Sequence, residues 1–196
     1  MSITMRRQRL RQSVPFVLMG SGLAILVYCG FVRADAWIFQ QREGREFTRR
    51  AQTTSLPGRG ATVPSGLVGR ITIARLGLSA VITEGAGEAV LRRAVGHVPG
   101  TALPGQPGNV GLAGHRDTFF RPLRNVRRDD IIVLATQLGE FRYRVVSTKV
   151  VESHSVEVLG PTVEETVTLV TCYPFSYIGA APNRFIVRAE KTRLQP

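Results

Sequence analysis

Two kinds of hydrophobic pattern divide this chain. The first is a single unbroken apolar run, Val14 to Val32, with no charged residue in it. A run of about 20 such residues spans a bilayer as a helix. The second begins at Leu67. From there the apolar residues fall into short runs rich in Val, Ile, Thr and Phe, partly alternating and punctuated by Gly and Pro. That is strand patterning. Between the two, Gln40 to Ser65 is polar, carries Arg, Thr, Gly and Pro, and has no sustained apolar period. It reads as a stalk; Gln40–Arg50 is open to helix but offers no face to bury. The expected organisation is a basic N-terminus (1–13), a transmembrane anchor (14–32), a stalk (33–66) and a folded domain (67–196).

Within the folded domain, strands are expected over Leu67–Leu76 and, after a turn at Gly77, Ser79–Thr83. Glu84–Val95 has Ala89, Val90, Leu91 and Ala94 at near-helical spacing and reads as one short helix. His97–Gly108 is dense in Pro and Gly and reads as loop. Further strands are expected at Asn109–Gly114, Ile131–Thr136, Phe141–Val151, Thr166–Thr171 and Arg184–Glu190. The long strand has Phe141, Tyr143 and Val145 on one face, with Arg142 and Arg144 on the other. Glu152–Glu165 is a polar linker of a length that often forms a binding loop, and Tyr173–Asn183 is a second loop, aromatic and small. About eight short strands and one clear helix predict a mainly β fold, a closed or nearly closed barrel.

Charge sharpens the picture at the N-terminus. The chain carries a net +12. Residues 1–66 hold ten Arg and three acids, and the rest hold fourteen Arg, two Lys and eleven acids. The excess is densest beside the apolar run, where Arg6, Arg7, Arg9 and Arg11 precede it. The positive-inside rule then keeps the N-terminus in the cytoplasm and puts the domain outside. Ala34-Asp35-Ala36 has the form of a signal-peptide cleavage site, but the length of the run favours an uncleaved anchor. No basic stripe with interleaved aromatics appears in the domain, which argues against nucleic acid as a partner.

Two cysteines, one of them Cys29 inside the apolar run, do not make a disulfide framework. No Cys/His spacing matches a zinc site. Cys172 ends a β-type run, and Pro174 stops that strand two residues later. A thiol there is well placed to meet a substrate, although free cysteine is also a common buried hydrophobe. His115 likewise ends an apolar strand, after the small residues Gly111, Ala113 and Gly114. His97 and His154 compete with it, and Asp117 serves either to orient a histidine or to shape a turn.

These residues fall in three blocks: GNVGLAGHRDTFFRPLRNV, TLVTCYPF and APNRFIVRAE. Together they resemble the signature blocks of sortases, membrane-anchored cysteine transpeptidases, and are most similar to class D. The resemblance covers residues 67–192, without departure in the three blocks. It implies the sortase β-barrel and a catalytic set of His115, Cys172 and Arg184, with Arg188 as the other arginine on that strand face. It implies substrate contacts around Ala113, Val170, Thr171 and Tyr173. The implied partners are secreted proteins with a C-terminal LPxTG-like sorting signal and an amine acceptor, such as a peptidoglycan stem peptide or a pilin lysine. No cofactor or metal is implied; calcium is left open, with Glu84, Glu88, Glu152, Glu157, Glu164 and Glu165 as the available acids.

Overall fold

The computed structural model describes residues 3–53, 66–177 and 179–192, with side chains in the first segment from 17 to 42. The chain divides into two units, Met1–Ile38 and Phe39–Pro196. Helix α1 runs Ile3–Thr53. Its stretch Val17–Arg42 has a mean hydropathy of 1.8 and is long and apolar enough to cross a membrane, with 0% of it buried against protein. Val17, Leu18, Met19, Leu23, Ile25, Leu26 and Phe31 all point away from protein. Apolar side chains exposed on every side of a helix suit lipid, not water.

The helix does not stop at the end of the apolar run. It continues through Gln40–Thr53, part of the expected stalk, so that part is helical. The remainder of the stalk, 54–65, lies outside the described residues.

Eight strands close a barrel in the order β1-β2-β3-β4-β7-β8-β6-β5. They are β1 Leu67–Ile73, β2 Leu78–Glu84, β3 Val95–His97, β4 Asn109–Ala113, β5 Ile131–Thr136, β6 Gly139–Glu152, β7 Thr166–Tyr173 and β8 Asn183–Lys191. Pairs β2–β3 and β4–β7 are parallel and the others antiparallel. Alternation sets the inside. Ile71, Ile73, Ile82, Leu112, Leu134, Tyr143, Val145, Val167, Leu169 and Val187 fill one core.

The expected first strand is shorter than its pattern: Ala74–Leu76 is a 3-10 turn closed by Gly77 at φ 61, a conformation that glycine adopts without penalty. The expected helix over Glu84–Val95 shrinks to α2, Glu88–Leu91. Val95–His97 is instead the short strand β3, which pairs with Ile82–Glu84 and with Gly96↔Ala113 and His97↔Leu112. Its three residues are too few to show a period in the sequence. The barrel needs it to join β2 to β4.

Candidate active site

Strand β7 lies between β4 and β8 and carries the thiol. In the β7–β8 ladder Cys172 is directly opposite Arg184, Val170 opposite Ile186 and Thr168 opposite Arg188. In the parallel β4–β7 pair Ala113 lies beside Val170. The Gly114 N–H continues this pairing onto the Val170 carbonyl at 3.1 Å. Following that register two residues on from Ala113 and Val170 makes His115 level with Cys172. The structure therefore brings the three sequence candidates to one end of three adjacent strands, on neighbouring rows.

Val167 and Leu169 face the core. Strand alternation then turns Thr168, Val170 and Cys172 to the outside of the barrel, together with Gly111 and Ala113 of β4 and Arg184, Ile186 and Arg188 of β8. Cys172, Val170, Ala113 and Arg184 are each partly exposed, and the His115 side chain keeps 34% of its surface. Thr168 and Ile186 are covered. Against this end of the face lies the β6–β7 loop, which contains a 3-10 turn at Val156–Leu159 and is bonded to Asn109 and Arg188. The outer face is thus a strip, roofed at one end and open at the end bearing the thiol.

The roof is fastened by polar groups. Asn109, 2% exposed, donates through Nδ2 to the carbonyls of Val158 (3.3 Å) and Gly160 (3.1 Å). Its Oδ1 accepts from Thr166 and Thr168. Arg188 Nη2 donates to the Val158 carbonyl at 3.0 Å. A Cβ on Gly111 would stand 3.0 Å from both Leu159 and Thr101 side chains. The small residue lets the roof lie close on the strand.

Arg184 donates through Nη1 to the carbonyls of Ala181 (3.1 Å) in the β7–β8 loop and Asn183 (3.0 Å) at the start of β8. Those bonds hold the guanidinium on the face it shares with Cys172. Thr171 and Tyr173 alternate to the other side of β7 from Cys172. Thr171 is buried and donates to the Gly114 carbonyl at 2.7 Å, fixing the exit of β4 to β7. Tyr173 packs with Phe175 and Phe185 in an aromatic cluster, ring centroids 5.3 to 6.1 Å apart.

The competing histidines are placed elsewhere. His97 is buried, with Nδ1 2.7 Å from Glu84 Oε2 and Nε2 2.9 Å from the Ala102 carbonyl. His154 is an exposed loop residue 3.0 Å from Glu152. His115 Nε2 stands 3.7 Å from Glu88 Oε1 at the start of α2. Asp117 does not orient a histidine; its carboxylate accepts from Arg116 Nε and Nη2. That hydrogen bonding holds the Asp117 carboxyl below the usual carboxylate range and raises Arg116 above its ordinary value, against the opposing cost of desolvation. Among the described residues no group of three or more His, Cys, Asp and Glu is gathered as a metal site would need. Several acids considered for calcium are engaged singly: Glu84 with His97, Glu152 with His154, Glu165 with Lys191.

Three features of this region were not legible as functional in the sequence. Asn109 reads there only as the start of a strand, Glu88 only as an acid near a helix start, and Arg116 as one more arginine. Position beside His115 was the one available signal for Arg116.

The sortase-domain family model matches residues 71–192. The chain belongs to the sortase family, whose members are cysteine transpeptidases. It is 29% identical over 196 residues to Sortase D of Bacillus subtilis (strain 168), covering 93% of this chain and 99% of that one. Among solved structures it is similar to a Sortase D5 transpeptidase of Clostridium perfringens, with TM-score 0.64 and 26% identity over 82% of this chain and 99% of that one. It is also similar to the lid mutant of sortase A from Corynebacterium diphtheriae, with TM-score 0.63 and 28% identity over 69% of this chain and 75% of that one.

Proposed function

We propose that this enzyme is a membrane-anchored sortase that cleaves an LPxTG-like C-terminal sorting signal and transfers the protein to an amine. The single observation that carries the site assignment is the pairing of Cys172 with Arg184 across β7–β8, with His115 leaving the adjacent strand at the same level. The peptide lies along the outer strip, over Ala113 and Val170, with the β6–β7 loop as its wall.

Cys172 is the nucleophile. Its sulfur attacks the scissile carbonyl, a thioester forms, and the C–N bond breaks. His115 gives the proton that the departing amine takes up, and in the second half it removes one from the incoming amine. Arg184 keeps its charge throughout and offers a planar fork of N–H donors, which suits the oxyanion of each tetrahedral intermediate. Thr171 and Tyr173 hold the frame from the opposite face. The acceptor is an amine such as a peptidoglycan stem peptide or a pilin lysine.

The arginines at 6, 7, 9 and 11 favour an N-terminus in the cytoplasm, with 14–32 as the anchor, 33–66 as the connection and 67–196 as the extracytoplasmic catalytic domain. The test of the function is product analysis with an LPxTG-type peptide, with and without an added amine. A peptide–amine conjugate that disappears in Cys172→Ala supports it. Hydrolysis alone at every amine concentration would make the enzyme a thiol peptidase instead.

A further inference from the structure

The buried cation of this end of the barrel is Arg116, whose side chain is 7% exposed. Nothing in the reaction as written uses it. Its guanidinium is engaged on both sides. Nε donates to Asp117 Oδ1 (3.1 Å) and Oδ2 (3.3 Å), and Nη2 donates to Oδ2 at 2.8 Å. Nη1 turns the other way and donates to the Pro174 carbonyl at 2.8 Å, 58 residues off in the chain. Arg116 follows His115 directly, and Pro174 is the second residue after Cys172. One hydrogen bond therefore ties the segment leaving β4 to the segment leaving β7, next to the residues assigned as base and nucleophile.

Burying an arginine is costly unless its donors are met, and a surface Arg–Asp pair needs no such burial. The neutral carbonyl of Pro174 would also accept from water. What the burial achieves is a permanent charge in a fixed place, bonded to the carbonyl two residues beyond Cys172. Cations near a thiol favour the thiolate.

We infer that Arg116 is a positioning residue of the active site: it clamps the His115 and Cys172 segments together through Pro174 and, poised by Asp117, supplies fixed positive charge that favours the Cys172 thiolate. The inference rests on Cys172 being the nucleophile. The charged groups around that sulfur are Arg184 on β8, His115 and the Arg116–Asp117 pair on the segment after β4, Arg121 beside Asp117, and Glu88 of α2 beside His115. Of these, Arg116 alone is both buried and bonded to the segment that follows the thiol.

The experiment is the pH dependence of iodoacetamide alkylation of the full-length chain in detergent, in a Cys29→Ser background that leaves Cys172 the only thiol. Arg116→Gln is expected to move the alkylation profile to higher pH by about one unit, so that the rate at neutral pH falls about tenfold while the alkaline plateau is kept. Asp117→Asn removes the neighbouring negative charge and is expected to move the profile to lower pH. Arg116→Lys keeps the charge and the profile, but one ammonium replaces the fork, so kcat falls with KM little changed. A merely structural role would lower activity in these variants without moving the profile. Unmoved profiles in both Arg116→Gln and Asp117→Asn would overturn the inference. If circular dichroism shows Arg116→Gln unfolded, Asp117→Asn decides alone: a shift to lower pH supports it, and no shift or the reverse overturns it. The nucleophile assignment fails separately, through cleavage that survives complete alkylation of Cys172.

Discussion

Cys172 and Arg184 are directly opposed residues of the β7–β8 ladder, so their side chains leave the same face of the sheet. Four residues along β8, Arg188 shares that face but donates to the Val158 carbonyl of the β6–β7 loop. The two arginines therefore have different work. Arg184→Lys is expected to lower kcat by about 100- to 1,000-fold, as for loss of an oxyanion donor, because lysine keeps the charge and loses the fork. Arg188→Lys is expected to keep most of kcat. Steady-state kinetics on an LPxTG-type peptide with an amine acceptor separates them, and the reverse ranking would move the role to Arg188.

The histidines divide in the same way. His115→Ala is expected to lower turnover by about two orders of magnitude or more, the scale of general acid–base catalysis. His154→Ala is expected to change nothing. His97→Ala removes a buried bridge between Glu84 and the Ala102 carbonyl. It is expected to lower unfolding free energy by about 1–3 kcal/mol while the folded fraction still turns over. Thermal melts and kinetics on the same samples make the distinction.

The fold was largely legible in the sequence because most of its strands alternate and end at Gly or Pro. β5 matches its expected bounds, and β7 and β8 extend theirs by one or two residues. β3 escaped because three residues show no period and because Ala89, Val90, Leu91 and Ala94 imitate a longer helix. The three residues of the site could be named because His115 and Cys172 each end an apolar strand and the surrounding blocks resemble a known family. Which side of β7 each neighbour takes is a matter of register. Thr171 and Tyr173 flank Cys172 in sequence, and for that same reason they point away from it. The Asn109 network and the Arg116 clamp depend on partners some 50 residues distant in sequence, which no local pattern reveals.

The roof over the strip offers another test. Asn109→Ala would leave the Val158 and Gly160 carbonyls without that donor and take from the Thr166 and Thr168 hydroxyls the acceptor they share. Loss of such a network is expected to destabilise the barrel domain and, with the loop proposed as the wall of the strip, to raise KM for the peptide more than it lowers kcat. A lower kcat at unchanged KM would argue that the loop takes no part in holding the peptide.

Stability should weaken in acid through Asp130. Its carboxylate is almost fully buried and accepts from Arg75 Nε, from Arg75 Nη2 at 2.6 Å and from the Arg127 N–H at 2.8 Å. The Arg75 hydrogen bonds, opposed by desolvation and helped by the Arg127 N–H, hold the carboxyl below its usual range. A carboxyl depressed in the folded state contributes its stability above the unfolded value, about 3.9, and loses it as pH falls through the folded one. Asp130→Asn is expected to be less stable at pH 7 and to lose less on acidification than the parent. Chemical denaturation at pH 7 and below pH 4 reads both, and parallel pH curves would contradict the assignment.

The most direct test of the central claim is intact-mass spectrometry of the Cys29→Ser chain mixed with an LPxTG-type peptide and no amine. The account predicts an adduct of the N-terminal peptide fragment on Cys172, absent in Cys172→Ala and discharged as a peptide–amine conjugate when an amine is added. Cleavage of the peptide by the Cys172→Ala chain at the parent's rate would contradict it.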